Sequence, residues 1–256
     1  MKRSRGEFSL TVSRALQLIG LFSPQRSELG ISELSRELKL SKTAVHRLVQ
    51  ALELHQFLDH SPVSRKYRIG VEAFRVGSLF SRSLEREAHP YMRELVVNTG
   101  FTCYLSVLRN DVIVIMALVE GGGSPIRHSI PIGERIPVHS TAAGKAALAL
   151  LDDAAVEEII KRAGMAKATA HTHTDLRKLK ADLAVIRARG YSVNWEERFI
   201  GVGSVATAIP GGIDGSIPII SVGFATSQVR REDVPALGER VAKAAKEIGR
   251  RHVRNG

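Results

Sequence analysis

Between Ile31 and Leu52 the chain reads ISELSRELKLSKTAVHRLVQAL, two amphipathic segments with almost nothing between them. In the first, Ser32 stands where an N-cap belongs, Leu34 and Leu38 are the apolar positions, and the helix ends by Lys39-Leu40. Ser41 then caps a second helix, in which Val45, Leu48, Val49 and Leu52 recur at i, i+3, i+4 and i+7. Two helices joined so closely must pack across one another, and the arrangement is a helix-turn-helix. Lys42, Thr43, His46, Arg47 and Gln50 fall on the other side of the second helix, and none is acidic.

The flanks sharpen this reading. Residues 11–22 (TVSRALQLIGLF) have helical periodicity, and Pro24 stops the helix. After the second helix, FLDHSPVSRKYRIG reads as two short strands around a turn at Ser61-Pro62 and Ser64-Arg65. A basic hairpin directly behind a helix-turn-helix is a wing. An α-helix fits the major groove, where Arg and Lys pair with guanine and Gln with adenine. Lys42, Thr43, His46, Arg47 and Gln50 are therefore candidate DNA contacts. Ser41 and Thr43, at the helix start, suit phosphate. Arg65, Lys66 and Arg68 of the hairpin are placed against the DNA backbone or minor groove. Any soluble helix needs a polar face, so the helix alone would not decide; the order of elements does. Charge agrees: residues 1–70 hold 12 Lys+Arg against 6 Asp+Glu, about half of the chain's net +11. A domain this small reads few base pairs, so a dimer on a double-stranded operator with two half-sites is expected.

Residues 70–87 read as an amphipathic linker helix, with Phe74, Leu79 and Phe80 expected at a dimer contact. The expected organisation is a DNA-binding domain at 1–70, the linker at 71–87 and a second domain at 88–256. In the second domain, FTCYLSVLR and VIVIMALVE are β-branched runs around Asn110-Asp111, a hairpin signal. IRHSIPI is a candidate third strand, and YSVNW, SVATAI and IPIISVGFA read as later strands. Helices are expected at 141–151, 153–163, 175–188 and 234–251. The fold class is α+β, with a mostly antiparallel sheet and helices around it. His139-Ser-Thr-Ala-Ala-Gly144 runs straight into a helix, so a ligand site and mere close packing of small residues are both open there.

These segments resemble the IclR-type bacterial transcription regulators. VSRALQLIGLFS, ISELSRELKLSKTAVHRLVQALE, FLDH and KYRIG are similar to the family's winged helix-turn-helix, and IPVHSTAAGKAALALL, IRARGYSVNWEERFIGVGSVATAI and IISVGF to its second domain. The resemblance spans nearly the whole chain. It implies a homodimer or homotetramer, commonly a repressor, whose GAF-like second domain binds a small-molecule effector. Carried over by position, the effector-binding residues are Ala142, Ala143, Asn194, Ser204, Ser221 and Gly223. Members that bind small keto acids tend to have Asp at Asn194, Cys at Ser204 and Ser at Gly223. With these departures the resemblance implies a small organic effector other than a two- or three-carbon keto acid, one that is larger, acidic or aromatic.

Other signals weigh less. Gly144-Lys145 lacks the preceding Gly and the following Ser or Thr of a phosphate-binding loop, so Lys145 reads as a solvated or sheet-facing residue. His171-Thr-His173 is read as a polar loop before a helix capped by Thr174, and no metal is expected. Gly201-Val-Gly203-Ser204 lacks the Gly of a nucleophile elbow. Glu196 and Glu197, read as adjacent strand residues, would point to opposite faces. A single cysteine, Cys103, forbids an internal disulfide and fits a reducing cytoplasm; as a mid-strand residue it is expected to be buried and inert. Trp195 is expected to pack. No signal peptide, membrane segment or cofactor is read. An enzyme carrying an accessory DNA-binding module is the competing class, and no complete catalytic constellation supports it.

Overall fold

The computed structural model describes residues 9–79, 82–122, 130–212 and 215–255. The chain divides into two compact units, Met1–Arg82 and Ser83–Gly256, so the division falls inside the segment read as a linker.

The first unit opens with α1 (Leu10–Ile19), capped by Ser9. It is followed by α2 (Ile31–Leu38) and α3 (Lys42–Leu54). The cap of α2 is not Ser32. Gly30 holds that position, and the Glu33 carboxylate reaches back to accept from the Gly30 N–H at 2.7 Å. The helix thus starts one residue before Ser32, and Glu33 in its first turn satisfies the N–H of the capping residue, the Glu half of a capping box. Lys39 closes α2 in the left-handed region (φ 53°), and Ser35 Oγ donates to the Leu40 carbonyl. That sharp stop makes the turn short. Ser41 Oγ accepts from Ala44 N, as expected, and starts α3. Leu18, Leu34, Val45, Leu48, Val49 and Leu58 form the buried centre. The wing is β1 (Leu58–His60) paired antiparallel with β2 (Tyr67–Ile69). Leu29 adds a two-way backbone bridge to Tyr67, which ties the wing to the segment before α2. The linker is not one continuous helix. α4 (Val71–Gly77) ends at Ser78, whose hydroxyl donates to the Arg75 carbonyl, and α5 (Arg82–Thr99) begins the second unit.

In the second unit, six strands form one antiparallel sheet in the order β5-β4-β3-β8-β7-β6. They are β3 (Thr102–Arg109), β4 (Val112–Val119), β5 (Arg135–Ile136), β6 (Ser192–Trp195), β7 (Val202–Ala208) and β8 (Ile217–Ala225). The helices are α6 (Ala142–Leu148), α7 (Asp153–Ala163), α8 (Leu176–Arg189) and α9 (Val234–Asn255). α6, α7 and α8 share one apolar cluster with one face of the sheet, and α5 and α9 share another with the opposite face. Covering on both sides explains why β3 and β8 read as nearly unbroken apolar runs rather than alternations. A bulge at Met116 breaks the β4 alternation: Ile115 pairs with Ser106, whereas Ala117 pairs with Leu105. Ile115 therefore serves one face and Ala117 the other. The IRHSIPI segment falls largely on residues 123–129, outside the described residues. α8 is capped by Asp175, which accepts from Lys178 N, and not by Thr174; the helix register selects the carboxylate one residue on.

α6 sits hard against the chain that leads into it. A Cβ on Gly144 would lie 2.2 Å from the Val138 carbonyl oxygen, a backbone atom with no rotamer to move. Gly144→Ala is therefore expected to destabilise the protein by about 1–3 kcal/mol through overpacking. A urea midpoint equal to that of the unsubstituted protein would contradict this tight approach.

Candidate functional site

On the first unit, every residue assigned to DNA from the sequence is exposed or half-exposed. Val45, Leu48 and Val49 turn inward from α3 and leave Lys42, Thr43, His46, Arg47 and Gln50 on its outer face. These five have no hydrogen-bond or ion-pair partner among the described residues. Ser41 is engaged as the helix cap. The wing cations differ from one another. Arg65 is exposed at the tip, in the left-handed region (φ 54°). Arg68 lies 3.9 Å from Asp59 in a solvated, weak pairing. Lys66 is tied to Glu33 at 3.1 Å, so it braces the wing against the start of α2. The Gly30 N–H, and then Lys66, hold the Glu33 carboxyl below the usual carboxylate range. A depressed carboxyl supports the fold above its unfolded pKa and loses that role only on acidification.

On the second unit, a cavity of about 390 Å³ lies between the sheet and α6. Its floor follows the strand register. Asn194 pairs with Ser204, Ser204 with Gly223, and Gly223 with Thr102 across four neighbouring strands. Ser221 pairs with Tyr104 one row away. Ala142 and Ala143 of α6 form part of the roof. All six residues placed at an effector site from the sequence thus border one cavity. Gly144 permits close packing of α6 on the preceding chain, while Ala142 and Ala143 border the cavity. The start of α6 has its own cap, since the Thr141 hydroxyl accepts from Gly144 N and donates to the Pro137 carbonyl.

Sequence reasoning missed Tyr104, Ile115, Ile130, Ile136, Phe199 and above all Arg198, which also border the cavity. Arg198 follows the Glu pair in a turn, where an arginine looks like surface. Its guanidinium lies 4.9 Å from the Phe199 ring centroid and makes no hydrogen bond or ion pair among the described residues. Burial pulls its pKa down, and the field of Glu134 partly opposes this. Asn194 Oδ1 accepts from Glu197 N at 2.9 Å, which leaves its NH₂ group as a donor. Tyr104 OH accepts from Ile130 N and keeps its own proton to give.

Lys145 corrects the sequence reading. It is 1% exposed, neither solvated nor simply laid on the sheet. Its ammonium donates to Glu197 Oε1 at 2.5 Å and to Asp182 Oδ2 at 2.7 Å. Glu196 and Glu197 do not continue the strand. They form a turn after β6, with Glu196 in the left-handed region (φ 61°). Glu196 accepts from Thr226 and Gly201 N, while Glu197 turns inward to Lys145. The two carboxylates have separate partners, but the turn and not strand alternation separates them. His173 lies near Asp182 and Glu197 in an arrangement of metal-ligand type, yet the Lys145 ammonium already supplies the cation between those carboxylates. His171 lies 3.7 Å from Glu196. Cys103 is buried, and burial pushes its thiol pKa up. Trp195 packs near Phe224 and under the Arg231 guanidinium.

A winged helix-turn-helix followed by an α/β unit with a mainly apolar cavity that a few polar side chains border defines a ligand-responsive DNA-binding regulator. Comparison with known proteins gives the family. Residues 11–62 match the IclR helix-turn-helix domain, and residues 76–250 match the bacterial transcriptional regulator IclR C-terminal domain. The chain belongs to the IclR family of bacterial transcription regulators. It is 32% identical over 244 residues to the transcriptional repressor IclR of Escherichia coli (strain K12), covering 93% of this chain and 88% of that one. A candidate IclR regulator from Silicibacter sp. TM1040 superposes with a TM-score of 0.85 at 26% identity, covering 94% of this chain and 96% of that one. An IclR homolog from Microbacterium hydrocarbonoxydans, solved in complex with 4-hydroxybenzoate, has the same fold. Its TM-score is 0.81 at 21% identity, covering 96% of this chain and all of that one, 100%.

The Lys145 cluster makes a separate prediction. Lys145→Met leaves the buried Glu197 carboxylate facing the half-buried Asp182 without a cation and should cost about 3 kcal/mol in chemical denaturation. Adding Glu197→Gln to that variant should restore much of the loss. Equal stability of the Lys145→Met and unsubstituted proteins would show that the pairing is not needed.

Proposed function

We propose that this regulator binds a two-half-site operator as a homodimer or as a tetramer of such pairs, with α3 of each reader in a major groove, and that it represses a catabolic operon. The observation that carries the reading is the outer face of α3. Its cations and hydrogen-bonding side chains have no partner among the described residues, and donors left so at groove-reading positions suit base edges. Arg65 and Arg68 reach the neighbouring backbone, and Ser41 and Thr43 lie where helix-start N–H groups meet phosphate. Lys66 is a weaker candidate, because Glu33 already uses it. Repression follows the habit of relatives such as the E. coli repressor.

The second unit is the sensor. Among the described residues that border its cavity there is no carboxylate, histidine, cysteine or lysine. Without a carboxylate, imidazole or amine to take their protons, the Ser, Thr and Tyr hydroxyls there are not activated as nucleophiles, which suits binding, not turnover. Its volume falls in the range of small-molecule sites and exceeds what a two- or three-carbon keto acid needs. The neighbour solved with 4-hydroxybenzoate supports an effector of aromatic size. Response to the effector requires that it bind one DNA-relevant arrangement better than another. Phe74 and Leu79 are exposed apolar residues in the described part of the linker and are assigned to contact between copies; Phe80 lies outside the described residues.

Arg47→Ala should weaken binding to the DNA upstream of the protein's own gene by roughly 1–3 kcal/mol more than binding to random duplex. Fluorescence anisotropy with both duplexes measures this. An equal loss on the two would make Arg47 a phosphate contact and remove it from sequence reading. Alanine at Phe74 and Leu79 together should lower the mass seen by analytical ultracentrifugation at low protein concentration; an unchanged mass would place the contact elsewhere.

A further inference from the structure

We propose that the second unit carries a further ligand site, at the open edge of β6, and that this site takes an amino acid in its zwitterionic form. The site is a cavity of about 330 Å³ that shares no lining residue with the one between the sheet and α6. It does not depend on what that first cavity binds.

β6 is the last strand of the sheet, so one of its edges has no neighbouring strand. The register decides which groups lie there. Glu196 N donates to the Val202 carbonyl, and Asn194 and Ser192 continue the same series opposite Ser204 and Ala206. Hydrogen-bonded pairs alternate along an antiparallel ladder, so Val193 and Trp195 turn their N–H and C=O groups away from β7. These four groups have no hydrogen-bond partner among the described residues, and both residues border the cavity.

The buried side of the cavity is acidic. Lys145, Asp182 and Glu197 set one cation against two carboxylates, and the ammonium bonds Glu197 through Oε1 alone. Glu197 is 6% exposed, and its Oε2 is shut away from solvent with no donor among the described residues. His173 Nε2 stands 3.8 Å from Asp182 Oδ2, too far to bond. A buried carboxylate oxygen without a donor is unfavourable, and a ligand N–H group completes it. The exposed side is basic. Arg189 lies 4.7 Å from the Tyr191 ring centroid, and Arg231 lies 4.5 Å from that of Trp195. Stacking on the rings positions both guanidiniums without using their N–H groups. Arg189 gives its Nε to the Tyr191 carbonyl, and neither arginine makes an ion pair among the described residues. Val193, Val234 and Pro235 add apolar wall.

A guest that carries both an ammonium and a carboxylate satisfies the two sides together. The ammonium meets Glu197 Oε2 and the strand carbonyls; the carboxylate meets the guanidiniums and the strand N–H groups. A bare metal ion would leave the arginines unused. A peptide added to the edge would use the backbone groups, but its interior carries neither charge, and β6 offers only the span Ser192–Trp195.

The test uses the full chain without DNA. The probes are L-leucine, L-phenylalanine and 5-aminopentanoate, each beside its amide, which removes the carboxylate charge, and its N-acetyl derivative, which removes the ammonium. In calorimetry at least one amino acid should bind, and each of its two derivatives should bind about ten- to a hundredfold more weakly. Arg189→Ala combined with Arg231→Ala changes two exposed residues and should bring acid and amide to equal affinity. Glu197→Gln keeps an acceptor for Lys145 and should bring the amino acid and its N-acetyl derivative to equal affinity; if that variant fails to fold, the arginine pair decides alone. The proposal is overturned if no amino acid binds, or if the derivatives bind as well as the parent. It is also overturned if the double arginine variant keeps the advantage of acid over amide, since neither arginine borders the first cavity. Operator binding is a separate readout, and its failure would strike the regulator reading and leave this site standing.

Discussion

Lys145 carries its ammonium under α6, and two elements distant in sequence close on it: α8 through Asp182 and the turn after β6 through Glu197. Desolvating three charges costs several kcal/mol each, so such a cluster gives little net stability over a packed apolar core. Its value is positional. It fixes α6, whose first residues roof the cavity, against the turn that carries Asn194 to Arg198. Thr169 and Thr172 reinforce that turn by donating to its backbone carbonyls. With the turn held by an ion pair and several hydrogen bonds, the cavity wall is pre-formed, and a ligand need not order it on binding.

Two neighbouring residues in that turn have opposite fates, and the site's character follows from the difference. Glu197 bonds inward to Lys145, while Arg198 and Asn194 border the cavity. The first unit shows the same division of labour. Glu33 engages Lys66 and caps α2, so the wing is braced internally, while the cations on α3 have no partner among the described residues and are exposed.

The sequence reveals the helices and strands well where two signals coincide. In α3 the Ser41 cap and the 3.6-residue period agree, and the residues assigned to each face fall there. Ser204, Ser221 and Gly223 are similarly legible, because strand alternation and cross-strand register put them on one face. What stays hidden is set by distance. Lys145 in an alanine-rich helix looks solvated, since its carboxylates stand 37 and 52 residues further on. Arg198 has no periodic context at all. A faint clue is its place in the turn that leaves Asn194, a residue already assigned to the site. The Met116 bulge, which returns Ile115 to the cavity side, has no sequence signature in a run of β-branched residues. The choices of Gly30 over Ser32 and Asp175 over Thr174 as caps depend on where each helix registers against its neighbours.

The most direct measurement is hydroxyl-radical footprinting of the DNA upstream of the gene, with the purified protein over a series of salt concentrations. Paired protections are expected, with centres one helical turn apart, about 10 base pairs, or a whole multiple of that spacing. Occupancy should fall steeply as salt rises, in proportion to the phosphates neutralised. Uniform protection, equal on a scrambled duplex of the same composition, would contradict the claim that the outer face of α3 reads sequence.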